Sequence, residues 1–272
     1  SRSGTAYIAF MLGISNMRRR VLRTGLTLAT ITILTFTVLS FTSFKPAIQF
    51  VGFEKDWEPQ YNGMLMHDIH WWDFEPPVYD YMYSHFGGSG TVAPRTWMTM
   101  GFEDEGYIPI RLGKREADGL GVLGFSPQET AVTGIDRSLV AGRWFIDPLE
   151  QSTILAAPIA ERLGVSLEAV ERGEGPAVAV FGKQWKVVGV YDPKAFEATR
   201  DLNNEPMTPA KEQFEQFNMP GMDQMFLMND TFFFETDIDV GYEHLAAERL
   251  AIMPYSQLES MGAWLMSVAV AF

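Results

Sequence analysis

An uncharged stretch near the N-terminus places the strongest constraint on how this chain can fold. Thr24–Phe44 is a run of 21 residues without a charge. A helix that rises about 1.5 Å per residue over that length crosses a hydrocarbon core of roughly 30 Å. The arginines that come just before it are Arg18, Arg19, Arg20 and Arg23. Basic residues that flank a span stay on the cytoplasmic side of the membrane. The pattern therefore predicts a basic cytoplasmic or interfacial segment at 1–23, a transmembrane helix at 24–44 and an extracytoplasmic region at 45–272.

Two other interpretations of the uncharged stretch are a cleavable signal peptide and a buried core helix. The apolar part of a signal peptide is usually about 7–15 residues long and ends at a small-residue cleavage site. Here the run is longer, and it ends in SFTSFKPAIQF, which is bulky at most of the relevant positions. The length and the flanking arginines therefore favour a membrane anchor over both alternatives.

One face of the predicted span carries small residues. Gly25 and Ala29 form a small-xxx-small pair, a spacing that lets another helix approach closely. The stretch also contains many threonines, whose hydroxyls can donate to the carbonyl one turn earlier and so cost less in lipid. We therefore predict that this face packs on another helix and that Arg18, Arg19, Arg20 and Arg23 anchor the helix at the membrane.

Charge is distributed unevenly along the chain. The formal net charge is −13, yet from Lys45 onward there are 16 basic and 34 acidic residues. Phosphate binding depends on lysine and arginine, so the acidic region is not expected to bind nucleic acid. The chain has no cysteine, which excludes disulfides, cysteine-ligated zinc and thiol nucleophiles.

The outer region mixes strand and helix patterns without regular alternation, which predicts an α+β domain. We expect strands in TVAPRTWMTMGF, in GYIPIRLG and at the start of Ser152–Gly173, and a pair of strands around Gly182-Lys183. Helices are expected at Val78–Phe86, after Pro158 with Gly164 at the end, after Ser166, and at Thr208–Met219 with Thr208 as cap. RLAIMPYSQLESMGAW predicts a strand followed by a turn or short helix near Ser256, and the last 11 residues predict a strand.

Motifs for catalysis are missing from the sequence. It contains no G-x-x-x-x-G-K-[ST], no H-E-x-x-H and no G-x-S-x-G. We therefore predict that the chain is not an enzyme, that it holds no cofactor, and that any ATP is hydrolysed by another chain or segment.

The densest polar cluster is MHDIHWWDFE, which contains His67 and His70. Two histidines three residues apart can share a helical face and bind a metal together with carboxylates. The spacing is unspecific, and Trp71-Trp72 suit a packed aromatic surface, so a structural or partner-contact role is the preferred interpretation. A second spaced set, Met219, Met222, Met225 and Met228, is interpreted as core packing or as an adaptable apolar surface.

Several short motifs occur in a recognisable order. They are Arg23-Thr24-Gly25-Leu26-Thr27 before the span, Gly142-Arg143-Trp144-Phe145, Ala160-Glu161-Arg162-Leu163, Val187-Val188-Gly189-Val190 and Ile252-Met253-Pro254-Tyr255-Ser256. In this order, behind a span with basic flanks, they resemble the FtsX-like (MacB-type) ABC permease family. The resemblance covers roughly residues 7–50 and 120–261.

The resemblance implies a MacB-like periplasmic core domain behind one transmembrane helix. It also implies a permease that couples a cytoplasmic ATPase to an outer domain by mechanotransmission, for export or extraction of lipoprotein, peptide or drug-like cargo. Such permeases normally continue into three more spans, so we expect this chain to be an N-terminal portion. The implied partners are a cytoplasmic ABC ATPase subunit, the remaining permease helices or a second permease copy, and the lipid bilayer. The implied location is the inner (plasma) membrane, with the N-terminus in the cytoplasm.

Two other functions remain compatible with the sequence. One is a single-pass anchored binding or adaptor protein without transport activity. The other is an anchored metallohydrolase built on His67 and His70. The full reading frame distinguishes the first from a permease, and metal analysis of the outer domain tests the second.

Overall fold

The structure is a computed structural model of the 272-residue chain. It describes residues 4–8, 11–12, 21–42, 54–68, 71–75, 77–99, 107–213 and 241–272. The chain divides into two compact units, Ser1–Asp56 and Trp57–Phe272.

The first unit contains the expected apolar helix, α1, at Val21–Thr42. Its 22 residues correspond to about 33 Å at the usual helical rise. Among the described residues it is the one helix that is long and apolar enough to cross a membrane, judged by length and composition. Five threonine hydroxyls donate to the carbonyl four residues earlier at 2.8–2.9 Å, as predicted; they belong to Thr27, Thr30, Thr32, Thr35 and Thr37. These internal bonds satisfy the hydroxyl donors of the five threonines, which suits a lipid environment.

The second unit is built from strands of four to nine residues. In chain order the described strands are β1 (Gly63–His67), β2 (Thr91–Thr99), β3 (Ile108–Leu112), β4 (Arg115–Gly119), β5 (Gly121–Phe125), β6 (Leu139–Gly142), β7 (Ser152–Ala156), β8 (Ala177–Val180), β9 (Lys183–Tyr191), β10 (Ala210–Gln213), β11 (Gly241–His244), β12 (Leu250–Pro254) and β13 (Trp264–Ala271).

All but two of these strands form one mixed sheet. Its order is β1-β13-β2-β5-β12-β7-β9-β8-β3-β4, with β6 paired to β9. The β5–β12 and β7–β9 pairs are parallel and the other described pairs are antiparallel. The remaining strands, β10 and β11, form a separate two-stranded sheet.

Short helices connect and cover the strands. They are α2 (Pro77–Phe86), α3 (Glu129–Thr133), α4 (Ala157–Leu163), α5 (Leu167–Glu171), α6 (Pro193–Ala198) and α7 (Tyr255–Glu259), with 3-10 turns at Ile135–Ser138 and Ala247–Arg249. The second unit therefore has the α+β class that the sequence predicts.

The core lies around three central strands. Every residue of β5, β7 and β12 is buried. Because these strands have neighbours on both edges and helices against them, they carry nearly continuous apolar runs rather than an alternation. The larger side chains at the centre include Phe125, Trp185, Tyr191 and Phe196, each fully buried.

Most of the local predictions are confirmed. Gly164 ends α4 in the left-handed conformation with a φ of 68°, and the Ser166 hydroxyl accepts from the amide of Ala169 at the start of α5. The β8–β9 hairpin turns at Phe181-Gly182, and both residues have positive φ. The expected strands at the start of Ser152–Gly173, in TVAPRTWMTMGF, in GYIPIRLG and at the end of the chain are present.

One predicted helix is wrong. Thr208–Met219 was expected to be helical, but Ala210–Gln213 is strand β10, paired with β11 in the register Ala210↔His244 to Gln213↔Gly241. Thr208 does not cap a helix; it is buried, and its carbonyl oxygen lies 3.0 Å from Nδ1 of His244. Pairing with a strand about thirty residues away thus overrides a local capping pattern. Residues 214–219 of the prediction lie outside the described residues.

Candidate functional site

The two ends of the second unit meet at one edge of the sheet. β1 pairs with β13 in the register Gly63↔Ala271 to His67↔Ser267, and the amide of Phe272 donates to the carbonyl of Asn62 at 2.9 Å. The first strand of this unit therefore lies next to β13, its last strand. We call residues 57–62, which come just before β1, the incoming segment.

The incoming segment is attached to the interior by two side chains. Nε1 of Trp57 donates to the carbonyl of Leu202 at 3.0 Å. The hydroxyl of Tyr61 donates to Oδ1 of Asp201 at 3.0 Å, and this tyrosine is 9% exposed. Both acceptors lie in the loop that follows α6, so this segment is held by a part of the fold other than its strand partner β13.

Asp201 belongs to a buried ion cluster. Arg95 donates from Nε and Nη2 to the two carboxylate oxygens of Glu129 at 3.0 and 2.8 Å, a two-pronged contact. Its Nη1 donates to Oδ2 of Asp201. The three residues, which we call the Arg95 cluster, are 3%, 0% and 4% exposed. Complete burial of an arginine between two carboxylates makes this the strongest electrostatic feature of the described fold.

Three elements of the fold place these side chains. Arg95 lies in β2, opposite Phe125 of β5 and Ser267 of β13. Glu129 begins α3, which starts directly after β5. Asp201 begins a turn in which its own carbonyl accepts from the amide of Asn204, a residue with a φ of 65°. The cluster therefore joins a strand near the sheet edge, a helix and a loop.

Neighbouring groups complete the hydrogen bonding of the carboxylates. The hydroxyl of Thr133 donates to Oε1 of Glu129 at 3.1 Å, one turn along α3. The amide of Leu202 donates to Oδ1 of Asp201 at 2.7 Å. Buried charges are tolerated when they are paired and their remaining lone pairs are occupied, and both conditions hold here.

The electrostatics of the cluster hold Arg95 charged and Tyr61 neutral. Burial opposes the charge on the Arg95 guanidinium, but the carboxylates of Asp201 and Glu129 more than offset it and raise the pKa of Arg95. Burial, followed by the charge of Asp201, raises the pKa of Tyr61 well above its usual range. Tyr61 therefore keeps its proton and remains a hydrogen-bond donor to Asp201.

The sequence offers little sign of this cluster. Arg95 is separated by 34 residues from Glu129 and by 106 residues from Asp201. No short motif links such positions. The usable signal is a single arginine inside an otherwise apolar strand pattern, which requires a buried acidic partner without saying where it lies.

The residues predicted to anchor the helix at the membrane and to pack on another helix are only partly within the described chain. Arg18, Arg19 and Arg20 lie outside it, while Arg23 is in the first turn of α1 and its carbonyl accepts from Thr27. A Cβ at Gly25 would meet no atom within 4 Å, and Ala29 is exposed. The packing of this face on another helix stays a prediction.

The structure shows an aromatic stack at one of the candidate metal ligands. The ring of His67 stacks on that of Trp71 with centroids 4.3 Å apart, and Nδ1 lies 2.8 Å from the carbonyl of Asp68. His70 lies outside the described residues, as do the four spaced methionines at 219, 222, 225 and 228. Within the described residues there is no group of three or more His, Asp or Glu side chains that could hold a metal ion.

Comparison with known proteins returns similarity at the level of structure. No protein-family model and no curated protein matches the chain. The extracellular domain of the noncanonic ABC-type transporter YknZ from Gram-positive bacteria matches with a TM-score of 0.39 and 14% identity, over 73% of this chain and 72% of that one. The periplasmic region of MacB from Actinobacillus actinomycetemcomitans matches with a TM-score of 0.39 and 13% identity, over 74% of this chain and 65% of that one.

Proposed function

We propose that this chain is a permease subunit of an ABC transporter, or the N-terminal part of one. In this proposal α1 crosses the inner membrane with its arginine-flanked end in the cytoplasm, and the α+β unit is extracytoplasmic. A cytoplasmic ATPase supplies the energy, and the outer unit acts on lipoprotein, peptide or drug-like cargo. The order of motifs in the sequence and the ABC-type transporter domain among the similar structures support this assignment.

The observation that carries the proposal is the attachment of the incoming segment. A tether that only anchors a domain needs no fixed contact with it. Here Trp57 and Tyr61 are bonded to the loop at 201–202, and Asp201 is bonded to an arginine inside the sheet. A displacement of the chain ahead of residue 57 is thereby passed to β2, α3 and the loop together. This is the connection that mechanotransmission requires.

The chemistry of the described residues agrees with a role that is mechanical. The buried ionisable groups of the Arg95 cluster are hydrogen-bonded to each other, to Tyr61 and to Thr133, so they hold elements of the fold together. ATP hydrolysis is assigned to a partner subunit.

The proposal is tested by expressing the full reading frame together with the P-loop ATPase encoded nearest to it. We expect the two proteins to co-purify in detergent, and the ATPase to be retained less well when Arg18, Arg19 and Arg20 are replaced by glutamine. Failure of any P-loop ATPase to associate with the full-length protein would overturn the proposal.

A second candidate is an anchored binding or adaptor protein without transport. The loop between β6 and β7 favours it, because that loop presents Ile146 and Leu149 to solvent at 74% and 69% exposure. The loop is held in one shape: Glu150 accepts from Arg143 and from the amide of Ile146, and Gln257 donates to the carbonyl of Leu149 at 2.6 Å. A reading frame that stops near Phe272 would favour this candidate, and three further spans would favour the permease.

A further inference from the structure

We propose that the incoming segment and the Arg95 cluster form a clasp that prevents β1 from being peeled away from β13. The clasp consists of the Trp57–Leu202 and Tyr61–Asp201 hydrogen bonds together with the Arg95 cluster. Its use under tension rests on the proposed function. Its effect on β1 is a property of this chain alone.

The position of β1 makes it vulnerable to peeling. Its one partner strand among the described residues is β13, and each of its five residues is partly exposed. Gly63 lies opposite Ala271, so the incoming chain and the last residues of β13 are at the same end of this antiparallel pair. The hydrogen bonds of such a pair are perpendicular to the strands. Tension applied at that end across the strands therefore loads them one after another instead of all at once.

The clasp lies ahead of the first of these bonds. Tension on the chain reaches Trp57 and Tyr61 before it reaches Gly63. Their acceptors belong to the loop at 201–202, which is separated in the sequence from both β1 and β13. The load is then carried by a network in which Asp201 is bonded to Arg95 and Arg95 to Glu129.

The face of β1 that points to the clasp is also packed. Tyr61 shares a buried cluster with Ala93, Val132 and Ala269, and Leu65 packs against it. Displacement of the Tyr61 side chain would therefore loosen the side-chain packing on β1 as well as its hydrogen bonds to β13. The same contacts that resist tension also suppress spontaneous fraying of β1, which makes the clasp measurable without applying force.

The test is amide hydrogen exchange of the intact chain in detergent, comparing wild type with Tyr61→Phe. This change removes one hydroxyl and keeps the ring, and Asp201 retains its bonds from Arg95 and Leu202. Since Phe272 donates to Asn62, the alternation of an antiparallel pair places the amides of Met64 and Met66 toward β13. We expect these amides to exchange about tenfold faster in Tyr61→Phe, the effect of losing one buried hydrogen bond to a charged group. The amides of β9 should be unchanged.

The matched control is Tyr191→Phe. The hydroxyl of Tyr191 is also buried and lies 2.7 and 2.9 Å from the carbonyl oxygens of Ala247 and Leu250, far along the sheet from β1. If this variant accelerates β1 as much as Tyr61→Phe does, or if Tyr61→Phe accelerates every strand equally, the effect is a general loss of stability and the clasp is refuted. Unchanged exchange of β1 in Tyr61→Phe refutes it as well.

A disulfide provides a second, independent arm. Leu65 and Ala269 are opposed residues of a non-hydrogen-bonded pair, where Cα atoms are about 4.5 Å apart and within disulfide reach. The chain has no other cysteine to interfere. Oxidation of Leu65→Cys/Ala269→Cys in the Tyr61→Phe background should return β1 exchange to the level of the same pair with Tyr61 intact. Continued fast exchange of the oxidised protein would count against peeling as the cause. Because no ATPase is present, these outcomes are independent of whether the chain is a permease.

Discussion

Replacement of Arg95 by methionine removes the only cation of the buried cluster and keeps much of its volume. Glu129 and Asp201, at 0% and 4% exposure, would then lose the guanidinium that they share. Tyr61, Thr133 and the amide of Leu202 would remain as neutral donors. The perturbation therefore tests whether the cluster is held together by charge.

The expected cost follows from the burial of the two carboxylates. Removal of one partner from a buried ion pair typically destabilises a protein by about 3–5 kcal/mol, because a charge is left uncompensated. Here two carboxylates lose one shared guanidinium, so we expect the upper part of that range. Native domains have free energies of unfolding of about 5–15 kcal/mol, so Arg95→Met should remove a third or more of the stability.

The assay is urea unfolding of the intact chain in detergent, followed by circular dichroism at neutral pH. The pair Arg95→Met/Glu129→Gln, with one carboxylate neutralised, should be more stable than Arg95→Met at neutral pH.

A different result would refute the account. If Arg95→Met costs less than about 1 kcal/mol, the cluster resembles a surface ion pair in its energetics and cannot carry a load between the incoming segment and the sheet. If Glu129→Gln in the Arg95→Met background makes the protein less stable, the charges of the cluster are not what holds it together.

Three further predictions concern the sheet edge, the exposed loop and α1. Gly63→Ala would place a Cβ 1.9 Å from the carbonyl oxygen of Val270, so it should loosen β1 and lower the free energy of unfolding by about 1–3 kcal/mol. In the control Gly88→Ala the new Cβ meets no atom within 4 Å, so the free energy of unfolding should not change. Urea unfolding of both variants measures the difference. The hydrogen bond from Arg143 is the main cause that lowers the pKa of Glu150, so this contact stabilises the folded loop above the unfolded pKa and loses its effect as the pH falls through the lower folded pKa. Glu150→Gln should therefore lower the free energy of unfolding by at most about 1 kcal/mol at neutral pH and should have no effect in acid. A cost that persists in acid would contradict the role given to this contact. Gly25→Leu and Ala29→Leu should impair coupling of the ATPase to transport while Leu28→Met on a neighbouring position of α1 should not, as measured by cargo moved per ATP hydrolysed; unaltered coupling would count against helix packing at this face.

Local sequence patterns were sufficient to predict the features that involve residues close together in the chain. The caps of α4 and α5 at Gly164 and Ser166, the β8–β9 hairpin and the threonine bonds of α1 all involve residues within a few positions of one another. Each obeys a propensity or a capping rule that can be read directly from the sequence.

The rest depended on pairs of residues that are distant in sequence. β1 reaches a partner strand about two hundred residues later, and Tyr61 donates to a carboxylate 140 residues away. The wrongly predicted helix at Thr208–Met219 fails for the same reason, because Ala210–Gln213 is recruited by β11. The candidate site is made mainly of such distant pairs. The residues selected from the sequence alone, Gly25, Ala29, His67, His70 and the arginines before α1, therefore include none of them.

Hydrogen exchange across residues 54–68, with and without ATP, should be measured in a complex of the full-length protein with the proposed ATPase. The account predicts that ATP changes the exchange of the incoming segment and β1, that the change extends to β2 around Arg95, and that Tyr61→Phe confines it to the incoming segment. Exchange that is the same with and without ATP throughout 54–68 would contradict the claim that motion of the membrane helix is passed to the outer unit.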